Sequence, residues 1–372
     1  MRITNVQTFH EDGYFEEKEI FIRDGRFAAC PQAGEEIVDG EGCYAIPGLT
    51  DIHFHGCVGV DFCDGTQQAI EKIARYEAMN GVTSICPATM TLDEESLLHI
   101  CRTGAAYRPI KGADLVGIHL EGPFLSYEKR GAQNPAFLQK PDLAFFYRLQ
   151  EAAGGLVRLM AIAPELENAL ELIQELEKEI TLSVAHTTAD YETAREAFFR
   201  GAKQATHLYN AMPAFSHRAP GVVGAAFDSP GCRAELICDG IHIHPSVVRA
   251  TLKMFGDERI IFISDSTMAT GMPDGEYQLG KQAVQVKGKR CTLADGTLAG
   301  SSTNLLDCVR TAVKEIGISL ASAVKCAAVN PAKAIGIFDS YGSICPGKYA
   351  NLLLMDEQLN LKQVLLHGQK LT

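Results

Sequence analysis

The sequence predicts an α/β protein: a (β/α)8 TIM-like barrel carrying a small β domain formed from both chain ends. Three observations lead there. From Ala45 to about residue 270, short apolar runs alternate with stretches of helical periodicity, the rhythm of β-α units. Both chain ends instead show two-residue alternation and the Asp-Gly or Pro-Gly turns of short antiparallel strands. At 372 residues the chain is long for one compact domain but suits a barrel with a smaller appended unit.

The elements follow in order. Ile20-Phe21-Ile22-Arg23 alternates as a strand, and Asp24-Gly25 and Asp39-Gly40 are turn dipeptides, so the first 45 residues form a β unit. Eight strand runs come next: AIPGLTDIHFH, VTSICPAT, LVGIHLEGP, LVRLMAIAP, ITLSVAHTT, KQATHLYNA, AELICDGIHIH and IIFISDST. The helices between them carry ordinary boundary signals, for example Asp190 as N-cap before YETAREAFFR and Gly201 just past its end. Eight β-α steps in one unit make a closed barrel. The segment from Gly275 to Thr297 alternates and turns at Asp295-Gly296, which predicts a hairpin insertion, and helices return from Thr303 to Ile337. The tail is strand-like again. Neither end is long enough to bury both of its faces, so the two are expected to pack together, giving a small β domain at 1–45 and 343–372 and a catalytic barrel at 46–342.

Composition excludes several functions. A formal charge of -12 leaves no excess of Lys and Arg to neutralise a phosphate backbone, so no nucleic-acid partner is expected. The first residues lack an apolar core of signal-peptide length, and no run reaches the ~20 apolar residues of a membrane span. The expectation is a cytoplasmic protein with no membrane contact. Twelve cysteines without a C-x-x-C spacing read as reduced thiols rather than a disulfide framework or zinc knuckle.

The informative polar residues sit where strands end. His53 and His55 close the first run, His119 and Glu121 the third, His186 the fifth, His207 the sixth, His242 and His244 the seventh, and Asp265 the eighth. In a barrel these ends converge on the face where active sites are built. On an extended chain His53 and His55 point to the same side while Phe54 faces away. Alone, that pair equally suits strand-end hydrogen bonding. Together with Glu121, His186, His207 and Asp265 it forms a ligand shell for Zn²⁺, Fe²⁺ or Mn²⁺. His119 shares a face with Glu121 and is assigned to packing or to orienting a ligand. His10, His99 and His367 lie away from the strand ends and are read as surface or packing residues. The stretch SHRAPG sets Arg218 beside His217, a combination able to grip a phosphate and equally compatible with a solvated side chain.

Seven motifs then point further: PGLTDIHFHG, HLEGPF, VAHTTAD, ATHLYNAM, RAPGVVGA, CDGIHI and ISDST. In this order the sequence resembles the amidohydrolase superfamily and, within it, the N-acetylglucosamine-6-phosphate deacetylase family, along essentially the whole chain. The resemblance implies that Glu121, His186 and His207 hold the main catalytic metal, and that His53 and His55 with Glu121 and Asp265 can hold a second. One or two divalent ions per subunit are therefore expected, without a choice among Zn²⁺, Fe²⁺ and Mn²⁺. It also implies substrate contacts from Asn210 and Ala211, from the turn Asp239, Gly240, Ile241 and His242, and from Leu298, Ala299 and Gly300. Arg218 is expected to meet the phosphate of a small sugar phosphate from a neighbouring subunit, which implies a homodimer. One departure stands out. Where many relatives carry a histidine that polarises the amide carbonyl, this chain reads Gly131-Ala132-Gln133-Asn134, so Ala132 and Gln133 take that place and Gln133 is expected to donate a neutral hydrogen bond.

The implied reaction is amide hydrolysis, with Asp265 taking a proton from water activated by the metal and returning it to the departing amine. The products would be D-glucosamine 6-phosphate and acetate. A deacetylase for N-acetylgalactosamine 6-phosphate would share these motifs. Cyclic amidohydrolases share the barrel and the His-x-His, but bridge two metals with a carboxylated lysine on strand four, and LVRLMAIAP contains none. A non-catalytic sugar-phosphate-binding barrel is the remaining reading, and the intact set of acid, base and ligands speaks against it.

Overall fold

The computed structural model describes residues 1–280 and 282–371. Eight short strands run parallel: β1 (Leu49–Asp51), β2 (Val82–Ile85), β3 (Ile118–Glu121), β4 (Val157–Ile162), β5 (Thr181–Val184), β6 (Gln204–Ala205), β7 (Arg233–Ile237) and β8 (Ile260–Ile263). β3 to β8 pair in chain order within one sheet, and a second sheet holds β1, β2 and the short segment Asp114–Leu115, which pairs parallel with β2. The sheets meet at both edges. Thr89 N donates to His119 O at 2.9 Å beside β3, while Asp265 N donates to His53 O at 2.9 Å and His55 N to Ser266 O at 2.7 Å. The parallel sheet thus curls until the chain just past its last strand is hydrogen-bonded to the chain just past its first.

The strands are apolar because both of their faces are covered. Ile52, Cys86, Leu159, Ile237, Ile261 and Ile263 form one buried cluster with Ala334 and Ile335, and Thr181 Oγ1 donates to Ala334 O at 2.6 Å. The C-terminal helical segment therefore packs against the strand cluster. Outside, helices bury one stripe each: Ile70 and Ile73 from Gln67–Met79, Leu97 and Ile100 from Glu94–Ala106, Phe145 and Leu149 from Leu143–Ala152. Their first turns are held by Thr66, Asp93 and Asp142, whose side chains accept from otherwise unpaired backbone N–H groups. Asp190 caps Tyr191–Phe199 in the same way, as its position predicts.

Strands from the two chain ends share one antiparallel and mixed sheet, in the order Gln369–Lys370, Leu361–Leu366, Leu352–Met355, Tyr44–Pro47, Gln7–His10, Tyr14–Glu17. A second sheet holds Arg26–Ala28, Ile20–Arg23, Arg2–Thr4 and Ile37–Asp39. Asp24 and Gly25 both take positive φ, 50° and 75°, the two-residue turn that suits the twist of a hairpin. The segment after β8 is a three-stranded antiparallel sheet, Gly275–Leu279, Gln282–Lys287 and Arg290–Thr292, and helices return from Leu305 to Ala334. Among the described residues no helix is long and apolar enough to cross a membrane.

The first strand run differs from expectation. The run AIPGLTDIHFH divides at Gly48: Tyr44–Pro47 pairs with Leu352–Met355, and β1 begins at Leu49. A Cβ at Gly48 would lie 2.1 Å from Thr83 Oγ1, so the chain crosses from one sheet to the other where only glycine fits against β2.

Candidate active site

The polar strand ends meet. Glu121 is the last residue of β3, His53 and His55 follow β1, and His186, His207 and Asp265 each stand two residues past β5, β6 and β8. These last three share a backbone conformation: φ is 44° at His186, 29° at His207 and 49° at Asp265. A left-handed non-glycine residue costs about 1–3 kcal/mol, and its recurrence at three strand ends marks a constellation that the surrounding structure enforces.

Glu121 lies at the centre. Its Oε1 is 3.1 Å from His186 Nε2, 3.3 Å from His53 Nε2 and 3.4 Å from His207 Nε2, and its Oε2 is 3.3 Å from His55 Nε2. His186 Nε2 and His207 Nε2 are 3.1 Å apart. Asp265 Oδ1 is 3.4 Å from His55 Nε2 and 3.7 Å from His53 Nε2. Two triads of ligand atoms result, Glu121, His186 and His207, and His53, His55 and Asp265, all buried. The donor chemistry fits a divalent cation. His186 Nδ1 is 2.8 Å from the carbonyl of Lys129 and His53 Nδ1 is 2.9 Å from Glu235 Oε2. Both partners are acceptors, so each Nδ1 carries the proton and each Nε2 offers a lone pair to the centre.

The charges agree. Burial alone would raise the Glu121 pKa, but the nearby His53 charge, with the His186 and His207 imidazoles against the carboxylate, holds it well below the usual carboxylate range. Burial likewise opposes ionisation of Asp265, and His55 and His53 outweigh it, so that carboxylate is also held low. Conversely, burial disfavours a cationic His55, yet Asp265 and Glu121 lift its pKa to about 10. A pocket that so favours positive charge on His55 is one a metal cation would occupy in place of that proton.

Further residues complete the arrangement. Glu235, fully buried in β7, accepts from His53, from Gln204 Nε2 at 2.5 Å and from the His207 backbone N at 3.1 Å, fixing two candidate ligands at once. Sequence reasoning missed it; a glutamate inside the apolar run AELI was the available signal. His119 is completely buried with its ring 4.6 Å from that of His53, a packing role as expected. His244 is exposed and caps the helix Pro245–Phe255, outside the cluster.

Above the cluster lies a cavity of about 360 Å³. Of the residues singled out in the sequence, His55, Glu121, Ala132, Gln133, His186, His207, Asn210, Ala211, His242, Asp265, Leu298, Ala299 and Gly300 line it. His53 lies beneath, with none of its surface exposed. Asp239 shapes the turn through Gly240: its Oδ1 accepts from Ile241 N at 2.8 Å and His242 N at 2.9 Å, and its Oδ2 is 2.7 Å from His242 Nδ1. Burial works against a charged His242, but the Asp239 hydrogen bond raises its pKa. Gly300 must be glycine, since a Cβ would sit 2.9 Å from Asp265 O, and Ser301 N donates to that same oxygen at 2.6 Å. Arg218 is exposed on the loop before Gly221–Asp228 and does not line the cavity within this chain.

Gln133 lines the cavity and is held by the protein: one N–H of Nε2 donates to Glu121 Oε2 at 2.8 Å and Oε1 accepts from Thr91 N at 2.7 Å. The second N–H of that amide has only Met90 Sδ near it, 3.8 Å away.

Residues 44–371 match the amidohydrolase family. The chain is 36% identical to the N-acetylglucosamine-6-phosphate deacetylase of Bacillus subtilis (strain 168), over 87% of this chain and 83% of that one. It is 33% identical to the N-acetylgalactosamine-6-phosphate deacetylase of Escherichia coli O157:H7, over 96% of each. It also resembles the structure of an aspartate-to-alanine mutant of N-acetyl-D-glucosamine-6-phosphate deacetylase from Mycobacterium smegmatis in complex with N-acetyl-D-glucosamine-6-phosphate. There the TM-score is 0.91 at 30% identity, over 100% of this chain and 99% of that one.

Proposed function

The chain belongs to the amidohydrolase family, and from that premise we propose that it hydrolyses the acetamido group of N-acetyl-D-glucosamine 6-phosphate to D-glucosamine 6-phosphate and acetate, in amino-sugar catabolism and recycling. The observation that carries this reading is the Asp265 carboxylate standing beside the Glu121, His186 and His207 triad on the floor of the cavity. Glu121, His186 and His207 would hold the main divalent ion, and His53, His55 and Asp265 a second. Such an ion supplies activation of water at neutral pH and polarisation of a carbonyl.

The chain's own groups do the rest. Asp265, held ionised, accepts a proton from the attacking water and delivers it to the amide nitrogen as the C–N bond breaks, because an unprotonated nitrogen would have to leave as an amide anion. His242, tethered through Nδ1 to Asp239, keeps its other ring nitrogen for a substrate oxygen. Asn210, Ala211, Leu298, Ala299 and Gly300 enclose the sugar and its acetyl group, and Ala132 adds an apolar wall. Arg218 meets the phosphate across the interface of a homodimer, which accounts for its exposure on this chain. The curled sheet serves as a (β/α)8 barrel at 46–342, with 1–45 and 343–372 as one small β domain, and the protein works in the cytoplasm.

The test is to incubate the metal-loaded protein with N-acetyl-D-glucosamine 6-phosphate and measure both products. Acetate and D-glucosamine 6-phosphate in equal amounts support the reading, and no acetate release refutes it. The Escherichia coli relative's substrate makes the galactosamine epimer the second reading. Comparing kcat/KM for the two sugars separates them: the proposal requires the larger value for the glucosamine substrate.

A further inference from the structure

We infer that Gln133 is a positioning residue that fixes the rotation of the Glu121 carboxylate and thereby sets how tightly the site holds its metal. Of the close polar contacts to Glu121, the one from Gln133 Nε2, at 2.8 Å, is the shortest; the four imidazole contacts run from 3.1 to 3.4 Å. It is also chemically distinct. An imidazole that ligates a cation turns a lone pair, not a proton, towards the centre, so its contact with Glu121 is no hydrogen bond in the loaded site. The amide N–H of Gln133 keeps its proton in every state.

Gln133 is itself held. Thr91 N donates to its Oε1 at 2.7 Å and Gln133 N donates to Arg130 O at 3.0 Å, while only 2% of the residue is exposed. The orientation of the amide follows from its neighbours: a backbone N–H needs the carbonyl oxygen, and a carboxylate needs the NH₂. The consequence is a fixed arrangement in which Oε1 of Glu121 faces His186, His53 and His207 while Oε2 faces His55, so one carboxylate addresses both candidate ligand triads. Where the family resemblance implies a carbonyl-polarising histidine, this chain carries an amide placed to support a ligand.

The test reads Zn²⁺ affinity by competition with a chromophoric chelator in the absence of substrate, and separately kcat and KM with and without excess Zn²⁺. Gln133→Met keeps the length and loses both hydrogen bonds; Gln133→Asn keeps an amide too short to span Thr91 and Glu121. Loss of a partner to a ligating carboxylate is expected to weaken metal binding roughly 10- to 100-fold in the methionine variant, and less in the asparagine variant. KM for the sugar phosphate should stay within about twofold of wild type, and excess Zn²⁺ should recover most of kcat. Unchanged Zn²⁺ affinity in either folded variant overturns the assignment, and a fall in kcat at unchanged affinity would return Gln133 to the substrate carbonyl. The activity arm rests on the proposed deacetylation, whereas the affinity arm does not, so failure of one is distinguishable from failure of the other.

Discussion

At the scale of single residues, the metal candidates were legible because ligands recur at strand ends, where i and i+2 share a face and the barrel rule brings distant ends together. Glu235 was not, since it lies within β7 and acts through His53 and His207, not by facing the cavity. The Lys129 carbonyl that sets the His186 tautomer has no sequence signature at all, because every residue carries a carbonyl. Replacing Glu235 by alanine should lower Zn²⁺ affinity about 10- to 100-fold, as for other partners of ligating histidines, measured by chelator competition. Glu77 offers a pH-dependent prediction away from the ligands. Burial above all, and then the nearby Asp51, raises its pKa well above the ordinary value. A carboxyl so raised favours the folded state fully below the unfolded pKa of about 4.3. That stability falls by up to ~1.4 kcal/mol per pH unit as pH rises, until the folded form ionises too. Glu77→Gln lacks this slope, so its Tm advantage over wild type should grow between pH 5 and pH 8; a constant difference would refute the shift.

At the scale of elements, the order of strands and helices could be read from periodicity, but where a strand changes partners could not. The run AIPGLTDIHFH reads as one strand, and the glycine at its break is required by a contact with Thr83 some 35 residues later in the chain, invisible to a local pattern. Gly48→Ala should destabilise the protein by about 1–3 kcal/mol through overpacking against β2, seen as a lower Tm, and an unchanged Tm would show that Thr83 can move aside. β6 is likewise shorter than KQATHLYNA suggested. Pairing ends at Ala205, and the chain then turns through positive φ at His207, Tyr209 and Ala211, trading ladder hydrogen bonds for the geometry of the cavity wall.

At the scale of the whole molecule, the curled parallel sheet gathers groups from five strand ends into one buried centre, and the strands of both chain ends share a sheet beside it. What no single chain supplies is a cationic partner for a phosphate from Arg218, which is exposed and outside the cavity lining. If that arginine acts across a homodimer, mixing inactive Asp265→Asn and weakened Arg218→Ala chains should restore activity, because each mixed dimer then contains one site with both residues intact. Without restoration, Arg218 serves its own chain or none. The central claim is that Asp265 moves the proton of a metal-dependent deacetylation. The direct measurement is acetate release from N-acetyl-D-glucosamine 6-phosphate by wild type and Asp265→Asn, each with its metal content determined in the same sample. Loss of a general acid-base group predicts a fall in kcat of about 10²- to 10⁴-fold with metal still bound at Glu121, His186 and His207. Near wild-type turnover by a metal-loaded Asp265→Asn protein would contradict the account.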